Sequence, residues 1–375
     1  MINRLKYILF FVFSIIYSQT SSLSFYGQGD FFDNYSASSI GQGSSKYFGQ
    51  NDNGFSLSSV DTIIEKENVL IYIFNLQPKG FIMVPGDNQS VPNLAFGFEH
   101  SFDINNMPEN LRALMNQYNK DINASIIRQE EPLVEIEAKW NYYLSDNVEP
   151  NRSRNVNPLL DAEFDQGGSW NNGVTGAIGF NGPVGCVAVA MSQIMHYWGY
   201  PEQGQGSNTY IENDYGSLTV DFSTSYYDFD NMAATYATNA SRQLLYHTGI
   251  SVNMDYDNSG SGAAVEGVYP SAEYALPMYF NYSQDIDVEY LENYTQTEFR
   301  NILKNELELS RPILYSGYED ENYNGGHAWN VDGYQGNNLH CNWGWGGWNN
   351  GYFNLTTMGG FEAYQTALLN IIPEP

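Results

Sequence analysis

Positive charge and cysteine are both scarce in this chain of 375 residues. Lys and Arg together number 15 against 43 Asp and Glu, a formal net charge of −28. Nucleic acid demands clustered cations to displace its counterions, so no nucleic-acid partner is expected. An anionic membrane surface is disfavoured on the same ground. From Asn151 onward the cations are Arg152, Arg154, Arg242, Arg300, Lys304 and Arg311, so the acidity concentrates in the C-terminal part. Solubility and resistance to association account for such an excess.

The two cysteines are Cys186 and Cys341. A disulfide-rich scaffold is thereby excluded, and with no Cys-x-x-Cys or His-x-x-x-His pair there is no zinc ligand set. Asn253, Asp255 and Asp257 alternate as in a calcium loop. Asn258 and Ala264, however, stand where that loop needs its glycine and its bidentate acid. Gly344-Trp345-Gly346-Gly347 lacks the lysine of a phosphate loop. Neither a metal nor a cofactor is expected. Long apolar runs are scarce too. Arg4 and Lys6 precede the run Ile8–Tyr17, and small Ser18 follows. That run is too short to span a bilayer and reads as a cleaved secretory signal over residues 1–18. Export to the extracellular space or periplasm follows, with no membrane anchor after signal removal.

Residues 19–54 are rich in Ser, Gly, Gln and Asn and show little apolar periodicity, which implies a loosely packed start. Strands are expected over 69–76 and 81–84, joined by Lys79-Gly80, with helices over 107–127 and 133–143. Ser145 to Pro158 is polar and proline-bounded, the mark of an exposed linker and a site for activating cleavage near Asn151; a mere interdomain loop is the plainer reading. Beyond it, Val187, Ala190, Met191, Ile194, Met195 and Trp198 recur at helical spacing from Cys186 to Gly199. A second helix is expected from Asn231 to His247. A third is expected after the capping box Thr295-Gln296-Thr297-Glu298. Strands then dominate at 312–318, 327–334, 338–343, 352–355 and 366–371, with a hairpin turn at Asn349-Asn350-Gly351. Helices first and an antiparallel meander later give an α+β fold with a cleft between two halves.

Cys186 opens a helix, where unpaired N–H groups favour a thiolate over a thiol. Placement alone fits a buried core cysteine as well as a nucleophile. Of the five histidines, His327 follows two glycines at the mouth of a strand, where backbone can lie close to a substrate. His100 lies in the N-terminal part, and His196 is too far along the helix of Cys186 to turn back. His247 is near a helix end, and His340 shares a strand with Asn342. Cysteine at a helix start, then histidine, then Asn342-Trp343-Gly344 is the chain order of a papain-like thiol peptidase. A Cys186–Cys341 disulfide is the competing reading in an oxidising compartment. Cys341 sits between Leu339 and Trp343 in an alternating strand, which points it into the core.

Gly185-Cys186-Val187-Ala188-x-Ala190-x-x-Gln193-Ile194-Met195-x-Tyr197, Gly325-Gly326-His327-Ala328 and Asn342-Trp343-Gly344-Trp345-Gly346-Gly347 together resemble the streptopain family, secreted bacterial cysteine endopeptidases made as zymogens. The likeness extends to Gly249–Tyr256 and Gly360–Gln365, and so covers most of the chain from Leu159 onward. Gly80-Phe81-Ile82-x-Val84-x-Gly86-Asp87 is similar to the pro-domain of such zymogens. The resemblance implies a papain-like catalytic domain over 151–375 preceded by a smaller α+β inhibitory pro-domain over 19–150. It implies protein or peptide substrates, with an apolar residue one before the residue cleaved. Cys186 would attack the scissile carbonyl, and His327 would hold the thiolate and protonate the leaving amine. Gln166 matches the family's oxyanion-hole glutamine, although its spacing to Cys186 is shorter than the family resemblance leads us to expect. Trp343 is favoured over Asn342 as the support of His327, since neighbouring strand residues face opposite ways. Ser261 and Gly326 match residues that line the substrate cleft, while a flexible turn is the plainer reading of Ser261. Trp345 and Trp348 fit a cleft wall or core equally. Two rival functions stand beside this one. A silent binding or adhesion protein on the same fold would use its thirty tyrosines as a contact surface, but would be expected to lose Cys186, His327 or Gln166. A thiol amidase or transferase would differ by not cutting proteins internally.

Overall fold

The computed structural model describes residues 56–374 apart from 67, 108, 129–131, 144–154, 319–325 and 355–362. The expected signal, the glycine- and serine-rich start and the core of the expected linker lie outside these residues. One antiparallel sheet of ten strands organises the described chain, in the order β1-β2-β3-β4-β11-β10-β9-β8-β12-β7. Its N-terminal strands are β1 (Ser56–Glu65), β2 (Asn68–Gln77), β3 (Phe81–Pro85) and β4 (Ala95–Gly97). The C-terminal strands are β7 (Asp287–Tyr290), β8 (Ile313–Tyr318), β9 (His327–Gln335), β10 (Asn338–Asn342), β11 (Gly351–Asn354) and β12 (Ala363–Leu369). The seam between the two groups is short. It pairs Phe96 with Tyr352 and Ala95 with Phe353.

Each face of the sheet carries its own core. On one lie α1 (Glu109–Arg128) and α7 (Gln296–Glu308), whose Leu111, Leu114, Phe299 and Leu303 pack with Trp329, Trp343, Cys341 and Phe353. This core joins both parts of the chain, because Phe81, Met83 and Leu94 belong to it as well. The other face is covered by α4 (Cys186–Trp198), flanked by α3 (Asn172–Ile178), α5 (Asn239–Ser251), α6 (Ala272–Phe280) and the hairpin β5 (Ser207–Glu212)–β6 (Gly216–Asp221). A further helix, α2 (Val134–Tyr143), closes the N-terminal part. The result is the expected α+β arrangement.

Four local features differ from the sequence expectation. The helix α4 is buried from Val187 through Met195, including Ser192 and Gln193, and not only along an apolar stripe. Its polar residues are answered internally, Ser192 by Thr248 at 3.0 Å and Gln193 by the Ala162 carbonyl at 2.9 Å. The helix expected from Asn231 begins only at Asn239. There Thr238 accepts from the Ser241 N–H and Ser241 Oγ accepts from the Thr238 N–H, a reciprocal cap that fixes the start. The helix α6, which has Pro277 inside it, was not among the expected elements. Finally, β10 stops at Asn342, and residues 343–350 form a loop in place of a tight hairpin. Gly344, Gly346, Gly347 and Asn349 take positive φ there.

Phe353 sits at the seam, fully buried between Phe81 at 6.2 Å and Trp343 at 5.1 Å. Phe353→Ala should lower the unfolding free energy by about 3–5 kcal/mol in chemical denaturation, and a loss below about 1 kcal/mol would contradict a shared core.

Candidate active site

The first turn of α4 is built around Gly185, whose φ of +99° is left-handed. A Cβ at that position would meet the flexible end of Met254 at 2.6 Å and the Ser261 carbonyl at 3.2 Å, so it is the left-handed backbone more than the crowding that calls for glycine. Cys186 follows as the first helical residue, half-buried, with the unpaired N–H groups of the helix end around it. Its Sγ accepts from the Ala328 backbone N–H at 3.4 Å. Ala328 succeeds His327 on β9, where Gly317 of β8 pairs with His327 and Ser316 with Ala328. Cys186 and His327, with Gly326, line one cavity of about 270 Å³, which Gly262, Val265 and Ser316 help to close.

The remaining expected residues do not line this cavity. Gln166 is buried, and its carbonyl accepts from the Val184 N–H at 2.8 Å, which ties its loop to the chain two residues before Cys186. Ser261 is buried and donates to the Pro183 carbonyl at 2.6 Å, so it braces the Gly185 turn. Asn342 faces α4: its amide donates to the Ala162 carbonyl at 2.9 Å, and its oxygen accepts from Gln193 Nε2 at 3.1 Å. Trp343 faces the other way, against Trp329 at 5.4 Å and Phe353. Its indole N–H donates to the Asn349 carbonyl at 3.1 Å. Strand alternation places Trp329 and Val331 on the face of β9 that carries Trp343, while Ala328 and Asn330 lie with Asn342 on the face of α4. Trp345 packs on the core, and Trp348 is half exposed.

Rival titratable groups are occupied elsewhere. Cys341 is fully buried, and burial, reinforced by the charge of Asp332, pushes its thiol well above the usual range. Neither cysteine is in a disulfide. His247 accepts or donates with the Tyr227 hydroxyl at 3.1 Å, and burial lowers its pKa to about 4. His196 bonds the Met232 carbonyl at 3.1 Å, and His100 lies 3.0 Å from Glu163. For His340, burial works against protonation, but the Asp332 charge and a 2.6 Å hydrogen bond, helped by Glu99, outweigh it and raise the pKa. Among the described residues no cluster of three His, Cys, Asp or Glu is arranged to hold a metal ion.

Two elements of this region escaped sequence reading. One is the Ala328 N–H, since backbone donors carry no residue signal. The other is a buried amide network: Asn330 Nδ2 donates to the Ala190 carbonyl at 3.1 Å and to Gln193 Oε1 at 2.8 Å, and Gln193 bonds Asn342 in turn. Asn330 and Asn342, each flanked by apolar residues, were the available sign of it.

A buried helix bearing a half-exposed thiol, set against a histidine-bearing antiparallel sheet, is the architecture of a thiol peptidase. The peptidase C10 family model matches residues 164–353, and the Spi protease inhibitor model matches residues 33–122. The chain belongs to the peptidase C10 family, and it is a cysteine protease made as a zymogen. Streptopain of Streptococcus pyogenes is 29% identical over 342 residues, covering 81% of each protein. Prointerpain A of Prevotella intermedia superposes with a TM-score of 0.66 at 24% identity, over 84% of this chain and 99% of that one. Active interpain A of the same species gives 0.50 at 28% identity, over 58% and 95%.

Burial separates the two thiols. In the folded protein iodoacetamide should modify Cys186 and spare Cys341, and in denaturant it should modify both. Peptide mapping by mass spectrometry reads the result; equal labelling of the two in the folded protein would contradict the assigned burial.

Proposed function

We propose that the chain is a secreted endopeptidase in which Cys186 is the nucleophile and His327 the general acid and base. The observation that carries this is the shared cavity: a thiol at a helix N-terminus and a histidine at a strand mouth open onto the same space. The Cys186 thiolate attacks the scissile carbonyl carbon, and the carbonyl electron pair moves onto oxygen. The Gln166 side-chain amide and the Cys186 N–H receive that oxyanion. Collapse expels the amine as His327 gives it a proton, leaving a thioester. Water, losing its proton to His327, then attacks the thioester, and the acid product departs with the thiolate restored. Trp343, packed on Trp329 two residues along β9 from His327, shields and positions the imidazole, while the Asn342 amide is engaged with Gln193 and Ala162. Ser261 and Gly326 shape the substrate-binding wall.

Residues 1–18 act as the export signal, 19–150 as the inhibitory pro-domain and 151–375 as the catalytic domain. Contacts across the seam support this division. Glu99 and His100 reach His340 at 3.8 Å and Glu163 at 3.0 Å, and the Asp103 N–H donates to Asn349 Oδ1 at 3.1 Å. The pro-domain thereby grips the 343–350 loop, whose first residue is Trp343. Release of that grip during activation changes the support of His327. Retention of Cys186, His327 and Gln166 weighs against a silent binding protein, and internal cleavage of an unfolded protein separates an endopeptidase from a thiol amidase or transferase.

Casein digestion with reductant tests the assignment. Cys186→Ala should abolish cleavage and leave the precursor unprocessed, and His327→Ala should reduce activity by orders of magnitude in a folded protein. A Cys186→Ala protein that still cuts casein would overturn it. Active His340→Ala should keep measurable turnover yet lose about 3–5 kcal/mol of stability, because Asp332 is left buried without its partner. With its folded pKa raised, protonated His340 contributes stability fully below its unfolded pKa, and that contribution is lost as pH rises through the folded value. The His340→Ala protein should lack this pH dependence.

Latency has its own measurement. The unprocessed chain should be inactive on casein, and N-terminal sequencing of the active form should start between Ser145 and Leu159. The isolated pro-domain added in trans should inhibit the mature enzyme and raise its Tm. Full activity of an unprocessed precursor on a large protein would contradict the boundaries proposed.

A further inference from the structure

Part of the lining of the cavity beside Cys186 is apolar, and an acid is bonded to one of its hydroxyls. Val187, Ala263 and Val265 supply apolar surface, and Ser316 of β8 lines the cavity as well. The residue after Val265 is Glu266. Its carboxylate lies behind Ser316, accepting from Ser316 Oγ at 3.5 Å and from Thr366 Oγ1 at 3.4 Å. Both bonds are long, so much of the acceptor capacity of the two oxygens stays uncommitted. The neighbouring charge that acts on Glu266 is the carboxylate of Glu273, of the same sign, and among the described residues no cation answers either.

A half-buried carboxylate with no counter-ion costs stability, and a surface acid would avoid that cost at no loss to the fold. Its position, one hydroxyl away from the space that receives substrate, gives the cost a use. We propose that Glu266 is a specificity-determining residue of this peptidase, which admits lysine or arginine into the cavity beside Cys186 by pairing with the basic head group. The inference rests on the peptidase reading above. The stem of the side chain lies along Val187, Ala263 and Val265, and the ammonium or guanidinium passes Ser316 to reach the carboxylate. A short aliphatic side chain fills the apolar mouth and stops before the acid. The subsite therefore takes two classes of residue, apolar by its walls and basic by its base, where kinship alone implies the apolar class.

The groups facing Glu266 also define how the preference depends on pH. They are Ser316 of β8, Thr366 of β12, Glu273 of α6 and Tyr290 of β7. Burial pushes the Glu266 carboxyl upward, the two hydroxyls oppose it, and Glu273 adds to the rise. Ionisation is gained as pH rises, so the attraction for a cation is gained in the same direction.

The test uses matched fluorogenic peptides carrying Arg, Lys, Leu or Val at each position before the scissile bond, cleaved by the activated enzyme and by its Glu266→Gln variant. Glutamine keeps the volume and can still bond Ser316 and Thr366, so the fold is preserved. At one position kcat/KM for Arg and Lys should fall about tenfold or more in Glu266→Gln, while Leu and Val change less than about twofold. The Arg-to-Leu ratio should climb with pH in the native enzyme and stay flat in the variant. The same peptides titrated by fluorescence polarisation onto Cys186→Ala that a trace of active enzyme has cleaved in its linker, with and without Glu266→Gln, read the subsite without turnover. That arm separates failure of the subsite from failure of the peptidase reading. Equal effects on basic and apolar peptides, or none on either, in both arms would overturn the proposal.

Discussion

The clamp between α4 and the strands β9 and β10 is the constraint on which the site depends. Gln193 lies two turns along the helix from Cys186 and joins Asn330, Asn342 and the Ala162 carbonyl in one buried set of hydrogen bonds. These bonds are made in a low-dielectric interior, where a mispaired amide costs on the order of 1–3 kcal/mol. A slide of the helix along the sheet would break several of them at once. The helix is therefore held in a single register, and that register sets Cys186 Sγ against the Ala328 N–H and into the cavity shared with His327. Apolar packing alone, being non-directional, would tolerate small slides that the amides forbid.

A second dependence runs along the sheet. The N-terminal strands meet the catalytic strands only through β4 and β11, yet the core behind them is shared. Removing the N-terminal part would uncover Phe353 and the edge of β11, and would free Glu163, His340 and Asn349 from His100, Glu99 and Asp103. The Asp103 N–H thus ties the N-terminal part to the 343–350 loop, in which the Asn349 carbonyl holds the Trp343 indole.

Much of this was legible in the sequence where a single residue type has one physical use. The capping box at Thr295 and Glu298, the glycine ending α4 and the periodicity of its apolar residues each gave an element close to its true limits. The pairing of a helix-starting cysteine with a glycine-flanked histidine marked the two residues that the fold brings to one cavity. What escaped were features set by partners distant in the chain. The helix α6, with Pro277 inside it, and the hairpin β5–β6 were not among the expected elements. Gln193 carried no sign of its burial, which three distant groups produce. Glu266 was one acid among many until the sheet placed Ser316 and Thr366 beside it.

A crystal structure of the activated enzyme with a peptide aldehyde tests the central claim most directly. The account predicts a covalent bond from the aldehyde carbon to Cys186 Sγ and the resulting oxygen within hydrogen-bond distance of the Gln166 amide and the Cys186 N–H. It also predicts the His327 ring beside the sulfur, with the Gln193–Asn330–Asn342 bonds intact. An adduct on another residue, or one on Cys186 with His327 turned out of the cavity and the amide network broken, would contradict it.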